Sequence, residues 1–113
     1  MSYDIRIAVK VEGCDKYADI ASPEYDNPTY NLGEMFRKCM EWDFEQGQYY
    51  NASEIMPNIE KGIHNLRTCN YSDYEPPNGW GSQLDAIKVV DSMWKCIHQQ
   101  AEEIPIECLY VKW

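Results

Sequence analysis

Residues 3–11 read Tyr-Asp-Ile-Arg-Ile-Ala-Val-Lys-Val, an unbroken alternation of two kinds of side chain. The side chains that point to one side of an extended chain here are apolar: Tyr3, Ile5, Ile7, Val9 and Val11. The side chains between them are mostly charged. A period of two residues is typical of a strand that buries one face. The pattern therefore predicts a half-buried β-strand over residues 3–11.

A second alternation lies at the other end of the sequence. After Pro105, apolar and polar positions alternate again through residues 106–113. Two strands can satisfy each other's backbone groups by pairing, and a two-stranded ribbon needs further packing on one face to be stable. We therefore expect these two strands to pair antiparallel and to form a two-stranded sheet.

Three helices are predicted between the strands, because apolar residues recur there at spacings of three and four. The first begins near Asn31, whose side chain and Glu34 could form a capping box, and ends near Trp42. The second covers residues 53–68, with Pro57 in its first turn, or else begins at Pro57 itself. The third covers residues 82–104 and opens with a capping box.

The predicted fold class is therefore α+β, with three helices packed on the small sheet. The 113 residues are long enough to bury a core and too short for two domains, so residues 1–113 are expected to form a single domain. Segments 12–30, 43–52 and 69–81 are predicted to be loops.

The charge balance is strongly acidic. Nineteen Asp and Glu residues face ten Lys and Arg residues, which gives a formal net charge of −9. Residues 41–60 contain five carboxylates and no basic side chain: Glu41, Asp43, Glu45, Glu54 and Glu60. Such a charge repels nucleic acid and membrane phosphates and attracts basic protein surfaces. The expected partner is a basic protein, with no direct contact to nucleic acid or membrane.

The sequence offers no sign of catalysis. It lacks the short strings that mark nucleophile elbows, zinc proteases, phosphate loops and dinucleotide sites. His64 and His98 each lie one position off an apolar stripe, which is typical of solvated helix histidines. The five cysteines are odd in number and no two are closer than twelve residues, which favours free thiols over a zinc site. We expect no catalytic residue, metal or cofactor, and a cytoplasmic location.

A partner-binding surface is predicted where carboxylates and rings are interleaved. Such a segment can imitate a nucleic-acid strand, with carboxylates in the place of phosphates and rings in the place of bases. The predicted residues are Glu41, Asp43, Glu45, Tyr49 and Tyr50, with Asp15, Asp19, Glu24 and Asp26 of the first long loop. The alternative is a solvated surface that only keeps a small protein soluble.

A second candidate site is centred on Asn78-Gly79-Trp80-Gly81. Its glycines permit a tight turn, and the indole precedes a helix whose free amides could bind an anion. Tyr30, Asn78 and Trp80 would then bind a nucleotide-like ligand, and the protein would sequester it. The other interpretation, which we favour, is that Trp80 is a buried staple that joins the loop to the core.

Parts of the chain resemble small proteins of bacteriophages and prophages that have no assigned function. The resemblance covers roughly residues 28–98 and is carried by three strings: Thr29-Tyr30-Asn31-Leu32 before Met35-Phe36, Ile55-Met56-Pro57 before Ile63 and Leu66, and Asn78-Gly79-Trp80-Gly81. It implies an accessory protein that binds and disables a host factor. Together with the charge, it leads us to expect a non-enzymatic, anti-CRISPR-like inhibitor of a host defence nuclease, acting in the bacterial cytoplasm. The acidic, aromatic segment 42–50 departs from the layout of those proteins and is a candidate for a contact of its own.

Overall fold

The computed structural model describes residues 1–113. In chain order the elements are β1 (Arg6–Lys10), β2 (Tyr17–Ala21), α1 (Gly33–Met40), β3 (Tyr49–Asn51), α2 (Ala52–Thr68), α3 (Gln83–Ala101) and β4 (Leu109–Lys112). Short 3-10 turns cover Tyr30–Leu32, Ser72–Tyr74 and Ile106–Cys108. The architecture is α+β, as predicted.

The sheet has four strands, in the order β2-β1-β4-β3, and every pairing is antiparallel. The prediction of a two-stranded sheet is wrong. The predicted pairing of the two terminal strands is correct: β1 and β4 pair antiparallel, with Ile7 opposite Val111. The two additional strands form the edges of the sheet and lie in segments that the sequence predicted to be loops.

Both edge strands carry weak sequence signals. β2 has the sequence YADIA, and none of its residues is buried. It also contains a bulge, since Ile7 pairs with Ala21 and Ala8 with Asp19, which leaves Ile20 without a partner. β3 is only three residues long and leads directly into α2. A half-exposed or very short strand has little hydrophobic alternation to read.

The helices cover one face of the sheet and enclose the core between them. From β1, β4 and the residues beside them, the side chains that are buried in this core are Ile5, Ile7, Leu109, Val111 and Trp113. From α1 and the 3-10 turn before it, the buried apolar side chains are Leu32, Met35, Phe36, Cys39 and Met40. The core contains 23 residues.

The helix termini match the sequence prediction in part. Ser82 and Asp85 form the predicted capping box of α3. The box predicted for Asn31 and Glu34 is absent, because a 3-10 turn precedes α1 and the Thr29 hydroxyl accepts the Asn31 amide N–H instead. Pro57 is the sixth residue of α2 and therefore lies in its second turn.

Helices α1 and α2 approach each other closely at Gly62. A Cβ atom at this position would overlap with Cγ of Met40. Two side chains of α2 also cap the C-terminal end of α1: the Asn65 amide donates to the carbonyl of Cys39 (2.8 Å) and the Asn58 amide to that of Met40 (3.1 Å). The pair therefore packs as one unit, with its orphan carbonyls satisfied from the neighbouring helix.

Candidate protein-binding surfaces

Residues 41–48, here called the acidic loop, are held by a buried ring. Phe44 is 1% exposed and stacks on the Trp113 indole, with 4.0 Å between the ring centroids and 6° between the planes. Arg37 belongs to α1. Its guanidinium lies 4.3 Å from the Phe44 ring centroid, and its Nε donates to the Phe44 carbonyl (3.1 Å). The segment predicted to be a link is thus a fixed part of the fold.

The second half of the acidic loop is tied down by backbone hydrogen bonds. The Tyr50 hydroxyl accepts the N–H of Glu45 (2.7 Å), and the backbone oxygen of Trp113 accepts the N–H of Gly47 (2.8 Å). Asp43 and Glu45 are exposed on either side of Phe44, and neither forms a salt bridge. Two exposed carboxylates without a salt bridge therefore lie on a rigid support, with Arg37 and Lys38 lining the same shallow pocket as Asp43.

The other predicted members of this group have different environments. Glu41 ends α1 in the left-handed conformation (φ 50°) and pairs with Lys61. Tyr50 is half-buried, with its ring edge-on to Trp42 at 5.0 Å. The Tyr50 ring therefore packs against the acidic loop at Trp42.

The acidic residues of the first predicted loop are dispersed over the molecule. Three of them form salt bridges: Asp15 with Lys10 (3.6 Å), Asp19 with Lys112 (3.5 Å) and Asp26 with Arg6 (2.8 Å). Glu24 is exposed and forms none. The structure brings none of these four beside the acidic loop by a salt bridge or hydrogen bond.

The face of the sheet opposite the helices carries a tyrosine cluster. Tyr17 of β2 stacks on Tyr49 of β3 (centroids 4.2 Å apart, planes 7°), and Tyr110 of β4 meets Tyr17 edge-on at 4.9 Å. The rings come from both edges of the sheet. Ala8 lies between them in β1 and is fully buried. Its small side chain leaves room for the rings to meet.

Of the residues predicted to bind a partner, this cluster unites Asp19 and Tyr49, since the Tyr49 hydroxyl donates to the Asp19 carboxylate (3.1 Å). Sequence reasoning missed Tyr17 and Tyr110. The only available signal was the small Ala8 in the row of outward-facing side chains of β1.

The region before α3 corrects the prediction for Trp80. Its side chain is 71% exposed and contacts no other ring, so the buried staple is wrong. Gly81, whose φ of +128° favours glycine, lies so close to Leu32 and Thr29 that a Cβ atom there would have no room. The Asn78 side chain accepts the N–H of Trp80 (3.0 Å) and fixes the turn.

Two amides at the start of α3, those of Gln83 and Asp85, already have acceptors within the protein. The Glu75 carboxylate accepts the N–H of Gln83 (2.8 Å), and the Ser82 hydroxyl accepts that of Asp85 (3.2 Å). Tyr30 lies elsewhere in the aromatic core, packed edge-on against Tyr3 at 4.7 Å. The residues of the predicted nucleotide site are therefore not gathered around a free helix N-terminus.

The thiol and imidazole groups lie in separate environments. Cys39 is fully buried, and burial raises the pKa of its thiol to about 12. Burial also raises the pKa of Cys96. His98 packs on the Trp94 ring at 4.0 Å, and His64 is exposed. No group of three or more His, Cys, Asp or Glu side chains is placed to hold a metal ion.

No protein-family model, curated protein or solved structure matches this chain. None of its helices has both the length and the apolar character that crossing a membrane requires.

Proposed function

We propose that the protein is a non-enzymatic binding protein that recognises a basic surface of a partner protein through the acidic loop. The observation that carries this proposal is the placement of Asp43 and Glu45 on either side of buried Phe44. Charges on a rigid support lose little conformational freedom when they bind. They can therefore contribute more to affinity than the same charges on a flexible linker.

The overall charge supports the same proposal. Only five of the nineteen carboxylates form salt bridges: Asp15, Asp19, Asp26, Glu41 and Asp91. The other fourteen form none. An uncompensated negative surface accelerates encounter with a basic partner and disfavours acidic competitors.

The partner class that we propose is a nucleic-acid-binding effector of a bacterial host, a defence nuclease above all. The protein would then be a phage-derived, anti-CRISPR-like inhibitor that acts in the host cytoplasm. The resemblance to phage accessory proteins and the acidity of the chain support this class. Asp43 and Glu45 would take the place of phosphates, whereas Tyr49 and Tyr50 are half-buried in contacts with other rings.

The test compares two charge-reversed variants of equal net charge. One carries Asp43→Lys and Glu45→Lys, and the control carries Glu102→Lys and Glu103→Lys at the C-terminal end of α3, where both side chains are exposed. Each raises the formal charge by four units, from −9 to −5. Glu41 is left unchanged because its pairing with Lys61 would confound the result.

A pull-down from bacterial lysate with the parent protein identifies the partner, and both variants are then titrated against it. Like charges placed against a basic surface cost several kcal/mol, so the loop variant should bind about 100-fold more weakly. The control should lose no more than about tenfold, through the long-range field alone. Equal losses for the two folded variants would show that the acidic loop is not the binding surface.

The alternative, a protein that sequesters a nucleotide-like ligand with Tyr30, Asn78 and Trp80, has weaker support. The Glu75 carboxylate occupies the α3 amide that such a ligand would need. A ligand present at 100 times its dissociation constant adds about 2.7 kcal/mol of stability. A thermal-shift screen with nucleotides and cyclic nucleotides would therefore reveal it.

A further inference from the structure

The turn before α3 contains a chemically reactive pair of residues. Asn78 is the only asparagine of the chain that is followed by glycine, and both residues are exposed. Asparagine is thermolabile, because the backbone nitrogen of the next residue can attack its side-chain amide. A Cβ atom on that next residue obstructs the attack. Gly79 has none, and no other part of the protein lies within 4 Å of the place where one would be.

The turn also activates the side-chain amide of Asn78. Its Oδ1 accepts the N–H of Trp80 (3.0 Å). When a nucleophile adds to Cγ, negative charge develops on this oxygen, and a donor that is already in place stabilises it, as in an oxyanion hole. The same hydrogen bond closes a small ring that contains both Cγ of Asn78 and the nitrogen of Gly79. The attacking atom and its target therefore have little freedom to separate.

One contact opposes the reaction. The Gly79 N–H donates to the carbonyl of Pro76 (3.1 Å), and this hydrogen bond must break before the nitrogen can attack. Gly79 is exposed, so water can replace Pro76 as its partner. A hydrogen bond that water can replace slows the attack by no more than about tenfold. The reaction therefore remains possible in the folded protein.

We infer that Asn78 is a site of spontaneous deamidation in the folded protein. Hydroxide removes the proton of the Gly79 nitrogen, whose electron pair then forms a bond to Cγ of Asn78. The bond from Cγ to Nδ2 breaks, and Nδ2 takes a proton from water and leaves as ammonia, which regenerates the hydroxide. A five-membered succinimide ring remains.

Water then opens this ring at one of its two carbonyl carbons. Addition at Cγ gives aspartate at position 78, and addition at the backbone carbonyl carbon gives isoaspartate, whose main chain runs through Cβ and Cγ. The net reaction consumes one water and releases one ammonia. Either product places a new negative charge two residues before the exposed Trp80, and isoaspartate also lengthens the main chain there by one atom. The inference is independent of the proposed function.

Asn70 is a matched internal control. It is exposed, and its Oδ1 likewise accepts the N–H of the second residue after it, that of Ser72 (2.9 Å). Tyr71 follows it where Gly79 follows Asn78. Trypsin releases both asparagines in one peptide, residues 68–88, so their conversion is compared at equal recovery.

The protein is incubated at mildly alkaline pH, in buffer and in urea, and fragment ions of this peptide locate the modified asparagine by mass spectrometry. A zero-time sample corrects for conversion during digestion. In buffer, a gain of about 1 Da should appear at Asn78 at least about tenfold faster than at Asn70. The rate at Asn78 in buffer should lie within about tenfold of the rate in urea.

Two variants test the chemistry. Gly79→Ala adds a methyl group beside the attacking nitrogen and should slow the conversion of Asn78 about tenfold. Asn78→Ser removes the reacting amide and should leave conversion at Asn70 unchanged. Equal rates at Asn70 and Asn78 in the folded parent would overturn the inference. Conversion of Asn78 in urea without conversion in buffer would overturn it as well, because the turn would then protect the amide.

Discussion

Phe44 connects the interior of the protein to the surface that we propose for binding. Its ring is enclosed by Trp113 and Arg37, while the residues on either side of it, Asp43 and Glu45, are in solvent. Trp80 is the opposite case, a larger ring held in solvent by a fixed turn. The sequence predicts a buried Trp80, because large rings are usually buried. It does not show which side of the turn faces the core, and this is why the prediction is wrong.

The two rings should therefore contribute very differently to stability. Phe44→Ala should lower the free energy of unfolding by about 3–5 kcal/mol, since it removes a buried ring and leaves a cavity. Trp80→Ala should change it by no more than about 0.5 kcal/mol, as exposed substitutions do. Urea denaturation monitored by far-UV circular dichroism measures both. A Trp80→Ala variant destabilised as strongly as Phe44→Ala would contradict the exposure described above.

Cys39 should make stability depend on pH in the alkaline range. An unfolded thiol ionises near pH 9.0, whereas burial keeps the pKa of the folded Cys39 at about 12. Between these values the unfolded chain binds fewer protons than the folded one, so stability falls as pH rises. From pH 8 to pH 10 the parent should lose about 1.4 kcal/mol more than Cys39→Ala.

Urea denaturation of both proteins at the two pH values gives this difference directly. The other titrating groups are shared by the two chains, so their contribution cancels. Parallel losses in the parent and in Cys39→Ala would mean that the thiol is not protected in the folded state.

At the scale of elements, the contact between α1 and α2 depends on one missing side chain. Gly62 has no Cβ, which lets Met40 of α1 lie directly against the backbone of α2. A glycine inside a helix normally costs about 1 kcal/mol relative to alanine. The close approach of the two helices offsets that cost here.

Gly62→Ala should therefore destabilise the protein, although alanine is the better helix former. Overpacking costs about 1–3 kcal/mol, and the gain in helix propensity recovers about 1 kcal/mol. In a Met40→Ala background the obstacle is gone, and the same substitution should stabilise by about 1 kcal/mol. A double-mutant cycle of unfolding free energies tests this reversal of sign. Additive effects would show that Met40 is not the obstacle.

The sequence predicts the central elements better than the peripheral ones. The alternation around Ile7 indicates β1, and the apolar spacing and the Ser82 capping box indicate the helices, because buried faces impose a strict period. β2 and β3 are held in place by pairing with the central strands and by the stack of Tyr17 on Tyr49, and these contacts join residues far apart in the sequence. Local patterns carry no information on such contacts.

At the scale of the whole molecule, the sequence predicts the number of charges and not their partners. It places seven carboxylates in one acidic surface, yet four of them have a cation supplied from elsewhere in the chain: Asp15, Asp19, Asp26 and Glu41. Only the fold brings those cations near. The free carboxylates Asp43 and Glu45, in contrast, alternate in the structure with half-buried Trp42 and buried Phe44.

The uncompensated charge should give salt two opposite effects. Repulsion among like charges destabilises a compact protein, and salt screens it, so sodium chloride should raise the melting temperature. Affinity for a basic partner should fall over the same range, because screening weakens attraction as well. The Glu102→Lys and Glu103→Lys control, with a charge of −5, should show a smaller rise. Calorimetric melting at 20 and 500 mM salt tests this, and a falling melting temperature would contradict it.

The pairing of β1 with β4 also sets the timing of folding during synthesis. The two central strands of the sheet are separated by nearly the whole length of the sequence described here. A ribosome that has made only the first three quarters of it has exposed β1 without the neighbour that completes the sheet. Contacts of such long range form slowly, and unpaired apolar strands invite aggregation. The nascent chain should therefore not complete its sheet until β4 leaves the exit tunnel. Chaperones that recognise apolar segments can bind β1 before that point.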